Sequence, residues 1–294
     1  MHYLVDMGTD LLTLSAAPTV GPPDEPPPAY EGFTPPLDCK DLYSYPRTAS
    51  PAERSSQAGP VPSVGPSMAS LRGTADDPYE FLGIFDTILL IDDSGSMYGP
   101  LGDEARDALR AIAPFCTQYD ADGVDIHFLN HATFYSNVTS ASAVYEIFST
   151  VTPRGGTWTG QKLQYILTRY LALYEAEPET TKPINIICIT DGAPSDDVES
   201  PLIRCAKKLD RLDAPAWQVG VQFFQIGNDV QAQKHLKQLD DDLGEISGNT
   251  EIRDMIDTVP FQSDGRQLTG DGILKVALGA VMRRWDRTNK HLHQ

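Results

Sequence analysis

Phe85-Asp86-Thr87-Ile88-Leu89-Leu90-Ile91-Asp92-Asp93-Ser94-Gly95-Ser96-Met97 runs an apolar strand straight into a cluster of short, oxygen-bearing side chains. Ile88 to Ile91 reads as a buried strand of a parallel sheet, and ligands of open α/β sheets bind just beyond the carboxyl ends of such strands. Asp92, Ser94 and Ser96 fall there at alternate positions, with Gly95 giving the backbone a tight path between the serines. Oxygen ligands of this kind suit a hard divalent cation. Taken alone, the segment also fits a plainer reading in which Asp93 or Ser94 caps a following helix.

Two further segments extend the pattern. Gly155-Gly156-Thr157-Trp158-Thr159-Gly160 precedes a helical pattern, and Ile186-Ile187-Cys188-Ile189-Thr190-Asp191-Gly192 is a second apolar strand ending in a carboxylate. These three loops, in this order and each in its strand or helix context, resemble the von Willebrand factor type A (vWA) domain over roughly residues 80 to 288. The resemblance implies a Rossmann-like α/β fold and a metal-ion-dependent adhesion site (MIDAS) for Mg2+ or Mn2+. It implies that Ser94, Ser96 and Thr157 touch the metal through hydroxyls, while Asp92 and Asp191 hold it mainly through water. It further implies a protein partner that presents an acidic residue to the metal.

The rest of the chain fits such a fold. Ala105, Leu109, Ile112, Cys116 and Tyr119 recur at helical spacing, with Pro114 expected to kink or shorten that helix. Val124 to Leu129 alternates as a strand, and Thr133 to Val138 reads as a short edge strand. Leu163, Ile166, Leu167, Tyr170, Leu171 and Tyr174 mark a helix face before the strand Ile184 to Thr190. Leu202 to Leu212 and Val230 to Leu243 read as helices on either side of a strand at Val219 to Ile226. Asp271 to Trp285 reads as a terminal helix with Leu274, Leu278, Val281 and Trp285 toward the core. Alternating strands and helices predict a doubly wound, mainly parallel sheet with helices on both faces.

Fourteen of the 23 prolines lie in the first 80 residues, among Ser, Gly, Glu and Asp. Such a composition cannot bury enough apolar surface to offset ordering entropy, so residues 1–78 are expected to be a disordered tail. The vWA domain is expected over 79–288, followed by a short tail at 289–294. The net charge of −18 argues against nucleic acid and anionic membranes as partners, since both need clustered Lys and Arg. No stretch approaches the roughly 20 apolar residues of a membrane span. The four cysteines, Cys39, Cys116, Cys188 and Cys205, lack metal-finger spacing and read as free thiols of a reducing compartment. With no positively charged secretory start, a cytoplasmic location is expected.

Catalysis is not expected. Phosphoryl-transferring hydrolases that use an aspartate at a strand end want a second one two residues later, where Ser94 stands. His131 lacks a residue to fix it as a general base. Gly155-Gly156 lacks the Lys-Ser/Thr of a phosphate loop. The sequence therefore points to a non-enzymatic, magnesium-dependent interaction module of the cell interior. Two alternatives remain open: a ligase-recruiting scaffold with a structural metal loop, and a metal-dependent hydrolase. The scaffold reading rests on Pro27-Pro28-Ala29-Tyr30, a Pro-Pro-x-Tyr motif of the kind WW domains read. A WW-bearing ubiquitin ligase bound to Pro27, Pro28 and Tyr30 would find Lys40 as the nearest acceptor, the only lysine before Lys162.

Overall fold

Leu89 and Ile91 pack to one side of their strand, Ile88 and Leu90 to the other, and all four are buried. A strand with no polar face belongs in the middle of a sheet covered on both sides. The computed structural model, which describes residues 80–248 and 252–260, has that strand at the centre. A short 3-10 turn at Glu80–Ile84 leads into β1 (Asp86–Ile91), and a second turn at Gly95–Met97 into α1 (Pro100–Tyr119). Then come β2 (Val124–Phe128), β3 (Tyr135–Val138), α2 (Ala141–Thr150) and α3 (Thr159–Ala176). The chain continues through β4 (Ile184–Thr190), α4 (Glu199–Arg211), β5 (Val219–Gln225), α5 (Val230–Ile246) and β6 (Ile256–Pro260).

The strands form one six-stranded sheet in the order β3-β2-β1-β4-β5-β6. All pairs are parallel except β2 with β3, which is antiparallel and closes one edge. This is the doubly wound α/β fold expected from the sequence. One core lies between the sheet and helices α1 and α2, the other between the sheet and α3, α4 and α5. The chain winds outward from β1 to β3, returns to β4, and winds outward the other way. The crevice between the carboxyl ends of β1 and β4 is therefore the switch point where such sheets bind ligands.

Three local outcomes differ from the sequence reading. Pro114 does not shorten α1, which runs on to Tyr119. A proline leaves the carbonyl four residues earlier without its helical donor; here the Tyr145 hydroxyl of α2 donates to the Arg110 carbonyl at 3.3 Å. Helix α2 was not expected, although the Ser140 hydroxyl caps it by accepting from the Ala143 N–H. Strand β6 was also unexpected, its pattern broken by the buried Asp257 and the terminal Pro260. The tail motif at Pro27, Pro28 and Tyr30, Lys40, Cys39 and the helix expected at Asp271 to Trp285 lie outside the described residues.

The amino end of β1 is held by charge. The buried Asp120 carboxylate, just past α1, accepts from the Thr87 N–H at 2.7 Å. Lys182 bridges Asp86, at 2.9 Å, and Asp122. Burial raises the Asp120 carboxyl to about 7; the Thr87 N–H opposes that rise, and the charges of Asp86 and Asp122 add to it. A carboxyl raised above its unfolded value of 3.8 binds protons that the unfolded chain has lost, so its contribution to stability falls as pH rises from about 4 to about 7. Replacing Asp120 by Asn keeps an acceptor for Thr87 and removes the charge. The Asp120→Asn variant is expected to unfold with a flatter pH dependence across that window, and above pH 7 to be more stable than the wild type by on the order of 1 kcal/mol, read by urea unfolding at several pH values.

Candidate metal centre

At the switch point the β1–β4 pairing sets Asp92 beside the end of β4, with the Asp92 N–H donating to the Ile189 carbonyl at 2.9 Å. The Asp92 carboxylate is 1% exposed and bonded on both oxygens. One accepts from the Ser94 N–H at 2.8 Å, the other from the Thr190 hydroxyl at 2.7 Å. Burial pushes its carboxyl up to about 6, against the bonds from Ser94 and Thr190 and with a further push from Asp191. Both oxygens are thus committed to neighbours, which suits a charge acting from one layer away.

The Ser94 and Ser96 hydroxyls lie 3.0 Å apart, and Ser96 donates to a carboxylate oxygen of Asp191 at 3.0 Å. Adjacent ligands of an octahedral ion at about 2.1 Å sit about 3.0 Å apart, so the Ser94–Ser96 separation is compatible with two neighbouring hydroxyl ligands, while Asp191 stands behind Ser96 as its hydrogen-bond acceptor. Ser94, Asp191 and Thr157 are buried, while Gly95 and Ser96 are exposed and open the site to solvent. Burial also raises the Asp191 carboxyl, Ser96 and its own N–H oppose this, and the charge of Asp229 adds to it. Ser94 opens the 3-10 turn but makes no side-chain cap bond, so the plainer capping reading is not what the hydroxyl does.

Thr157 arrives on its own scaffold. The Gly95 N–H donates to the Gly155 carbonyl at 3.0 Å, drawing the glycine turn against the serine loop. Gly155 has φ of +76°, and a Cβ there would come within 2.4 Å of the Asn130 side-chain oxygen, so only glycine fits the turn. Ser195, in the loop after β4, exchanges two bonds with the Thr157 backbone: its hydroxyl accepts from the Thr157 N–H at 3.1 Å and its N–H donates to the Thr157 carbonyl at 2.8 Å. Next to it, the Asp196 carboxylate accepts from the Gly160 and Gln161 N–H groups at 2.9 and 2.7 Å, capping α3 from the loop between β4 and α4. The Thr157 hydroxyl makes no hydrogen bond to the other four residues among the described residues.

Several positions that organise this site carry no site signal in the sequence, where Asp93 reads only as a possible helix cap. Asp93 accepts from the Asn130 N–H (2.7 Å), the Asn130 side-chain amide (3.2 Å) and the His131 N–H (2.9 Å), and its carbonyl accepts from the Arg154 N–H (2.7 Å). The Asn130 amide also donates to the Gly156 carbonyl at 2.9 Å. Lys162, buried on α3, faces Asp93; burial lowers its ammonium and the Asp93 charge opposes that. Asp229 caps α5 by accepting from the Gln231 and Ala232 N–H groups. Each of these bonds joins distant parts of the chain or serves a cap, and none forms a contiguous motif. His131 is held by its backbone, and its ring meets Phe128 edge to face at 6.0 Å.

Among the described residues, the acidic groups that lie close enough to chelate an ion directly are Asp86, Asp120 and Asp122, with ligand atoms within 4.8 Å of one another. They lie at the opposite end of β1 from Asp92, and Lys182 bonds two of them.

No family model matches the sequence, and no curated protein matches it. Among solved structures the chain is similar to the manganese-loaded TRAP protein of Plasmodium vivax, at 16% identity, with 60% of this chain and 68% of that one covered and a TM-score of 0.33. It is also similar to the pilus adhesin SpaC of Lactobacillus rhamnosus GG, at 14% identity and a TM-score of 0.36. That match covers 69% of this chain but only 30% of the adhesin's length.

Removing the Asp93 carboxylate strands the Asn130 and His131 donors of the loop after β2. Because a buried donor left unpaired costs about 1–3 kcal/mol, Asp93→Ala is expected to destabilise the fold by roughly 2–4 kcal/mol in urea unfolding. Asn130→Ala is expected to cost less, since the Asn130 and His131 N–H groups keep their acceptor.

Proposed function

We propose that this protein is a non-enzymatic interaction module that engages another protein through a divalent cation held by Ser94, Ser96 and Thr157, with Asp92 and Asp191 one layer out. The reading rests on one observation above the rest: the Ser94 and Ser96 hydroxyls meet at the switch point, with Ser96 exposed to solvent and hydrogen-bonded to the Asp191 carboxylate behind it. A cation bound there supplies an electrophilic position for a carboxylate from a partner. Hydroxyl ligands are neutral, so they leave much of the cation's charge uncompensated. Asp92 and Asp191 repel one another at short range, and a cation between them relieves that repulsion. The charge of Asp93 favours the Lys162 ammonium against burial, and the Asp93 bonds to Asn130 and His131 fix the loop that carries the serines.

A non-catalytic role agrees with the surroundings of His131, whose ring packs on Phe128. A location in the cell interior agrees with Cys116, Cys188 and Cys205, which are buried free thiols. Burial raises all three, Cys116 and Cys205 to about 12. Among the described residues no helix is long and apolar enough to cross a membrane.

Isothermal titration is expected to show reversible binding of magnesium or manganese. Losing outer carboxylates typically costs about 10- to 100-fold in metal affinity, and Asp92→Ala combined with Asp191→Ala is expected to lose at least that much. The substitutions remove repulsion but leave the Ser94 N–H and the Thr190 hydroxyl without their acceptor, so the metal-free double variant is expected to be less stable than the metal-free wild type in urea unfolding. Unchanged affinity would refute the ligand assignment.

The proline-rich tail carries a separate proposal from its sequence. A peptide spanning Glu25 to Thr34 is expected to bind WW domains through Pro27, Pro28 and Tyr30 with micromolar affinity, about −8 kcal/mol. The Tyr30→Ala peptide is expected to lose that binding in a fluorescence titration.

A further inference from the structure

Strand β2 turns Val124, Ile126 and Phe128 into the core shared with α1 and α2. Its alternate side chains, Asp125 and His127, therefore face the α3 side of the sheet, where they help to line a cavity of about 530 Å³. That volume lies within the roughly 300–1,000 Å³ of sites for cofactors and drug-sized ligands. None of the five residues of the candidate metal centre lines it. The His127 ring is 7% exposed and makes no hydrogen bond among the described residues. It stacks on Phe134 at 5.1 Å and meets Tyr165 edge to face at 6.4 Å. Burial, with the charges of Lys162 and Arg169, lowers its imidazole to about 4, so the ring is neutral at pH 7. Asp125 accepts from the Asn137 N–H at 3.1 Å and forms no ion pair among the described residues. Burial raises its carboxyl to about 6; bonds from Asn137 and Ser136 oppose that rise, and the charges of Asp86 and Asp122 add to it.

We propose that this cavity binds a small organic cation, an amine on a flat aromatic body, with the ammonium at Asp125 and the ring against Phe134 and Tyr165. The lining charges select the sign. Carboxylates of Asp86, Asp122, Asp125 and Glu177 line the cavity against the two cations Arg169 and Lys182, and Lys182 is already bonded to Asp86 and Asp122. Asp125 is thus a half-buried carboxylate without a counter-ion, and an ammonium beside it favours its charged form. Arg169 stands on the α3 wall, over the Tyr165 ring at 5.3 Å; an anion drawn to it would also meet the surplus of carboxylates. A neutral His127 does not repel the cation and offers a ring nitrogen as a further acceptor. Aromatic faces attract an ammonium and also stack on a ligand ring. Phe134 is 44% exposed, so ring surface is left for a ligand to cover. The cavity and its ligand are independent of the metal-dependent reading.

The test titrates the full chain by calorimetry with tryptamine, with its neutral isostere tryptophol and with the anion indolepropionate. Tryptamine is expected to bind at one site, at least tenfold more tightly than either of the others. Asp125→Asn keeps an oxygen for the Asn137 N–H and removes the charge. It is expected to weaken tryptamine at least tenfold and to leave tryptophol unchanged. Tyr165→Ala, which removes a half-buried wall, is expected to weaken tryptamine and tryptophol alike. Both variants are expected to keep the circular dichroism spectrum of the wild type. Absence of tryptamine binding, indolepropionate binding as tight as tryptamine's, or tryptamine binding that survives both substitutions would overturn the proposal.

Discussion

The parallel pairing of β1 with β4 is the constraint on which the site depends. Six residue pairs, from Asp86 with Ile184 to Ile91 with Ile189, fix how far each strand extends before its loop begins. Ile88 and Leu90 pack into one core while Leu89 and Ile91 pack into the other. A slip of one residue would exchange these faces. It would also part Asp92 from the Thr190 hydroxyl and Ser96 from Asp191, two bonds that close the site. The apolar strands thus do two things at once: they form the core, and they deliver two loops to the same point.

Pairing alone does not shape the loops. Their form comes from polar groups that accept backbone N–H donors where no helix or strand can. Asp93 does this for the residues after β2, Ser195 for Thr157, and Asp196 for the first turn of α3. Gly160 lets that turn approach the loop after β4 closely, since a Cβ there would lie 2.0 Å from the Asp197 carbonyl oxygen. The site residues are therefore positioned before any cation arrives, and such preorganisation limits the ordering cost of binding.

How much of this was legible in the sequence follows from the range of each interaction. Ile88 to Asp92 and Ile186 to Asp191 are contiguous, and an apolar run ending in a carboxylate shows both the strand and the place where it ends. Asp92, Ser94 and Ser96 are also local, as is the glycine turn before Thr157. Asp93 was weighed only as a cap, because its partners Asn130 and His131 are 37 and 38 residues away. Asp196 and Ser195 escaped for the same reason, as did the Asp86, Asp120 and Asp122 group at the other end of the sheet. Helix α2 is different: Val144, Ile147, Phe148 and Val151 have helical spacing behind the Ser140 cap, so its signal is present in the sequence. Strand β6 is obscured by chemistry, with a buried aspartate inside it and a proline at its end.

Two acid-rich ends of one strand thus have different fates. At the amino end, Lys182 is an internal counter-ion for Asp86 and Asp122. At the carboxyl end, hydroxyls and carboxylates converge on an opening to solvent. Anomalous diffraction from crystals grown with manganese separates the two directly. The account predicts a manganese peak bounded by the Ser94, Ser96 and Thr157 hydroxyls, with Asp92 and Asp191 within reach of its waters. A peak among Asp86, Asp120 and Asp122, or no peak beyond Ser96, would contradict it.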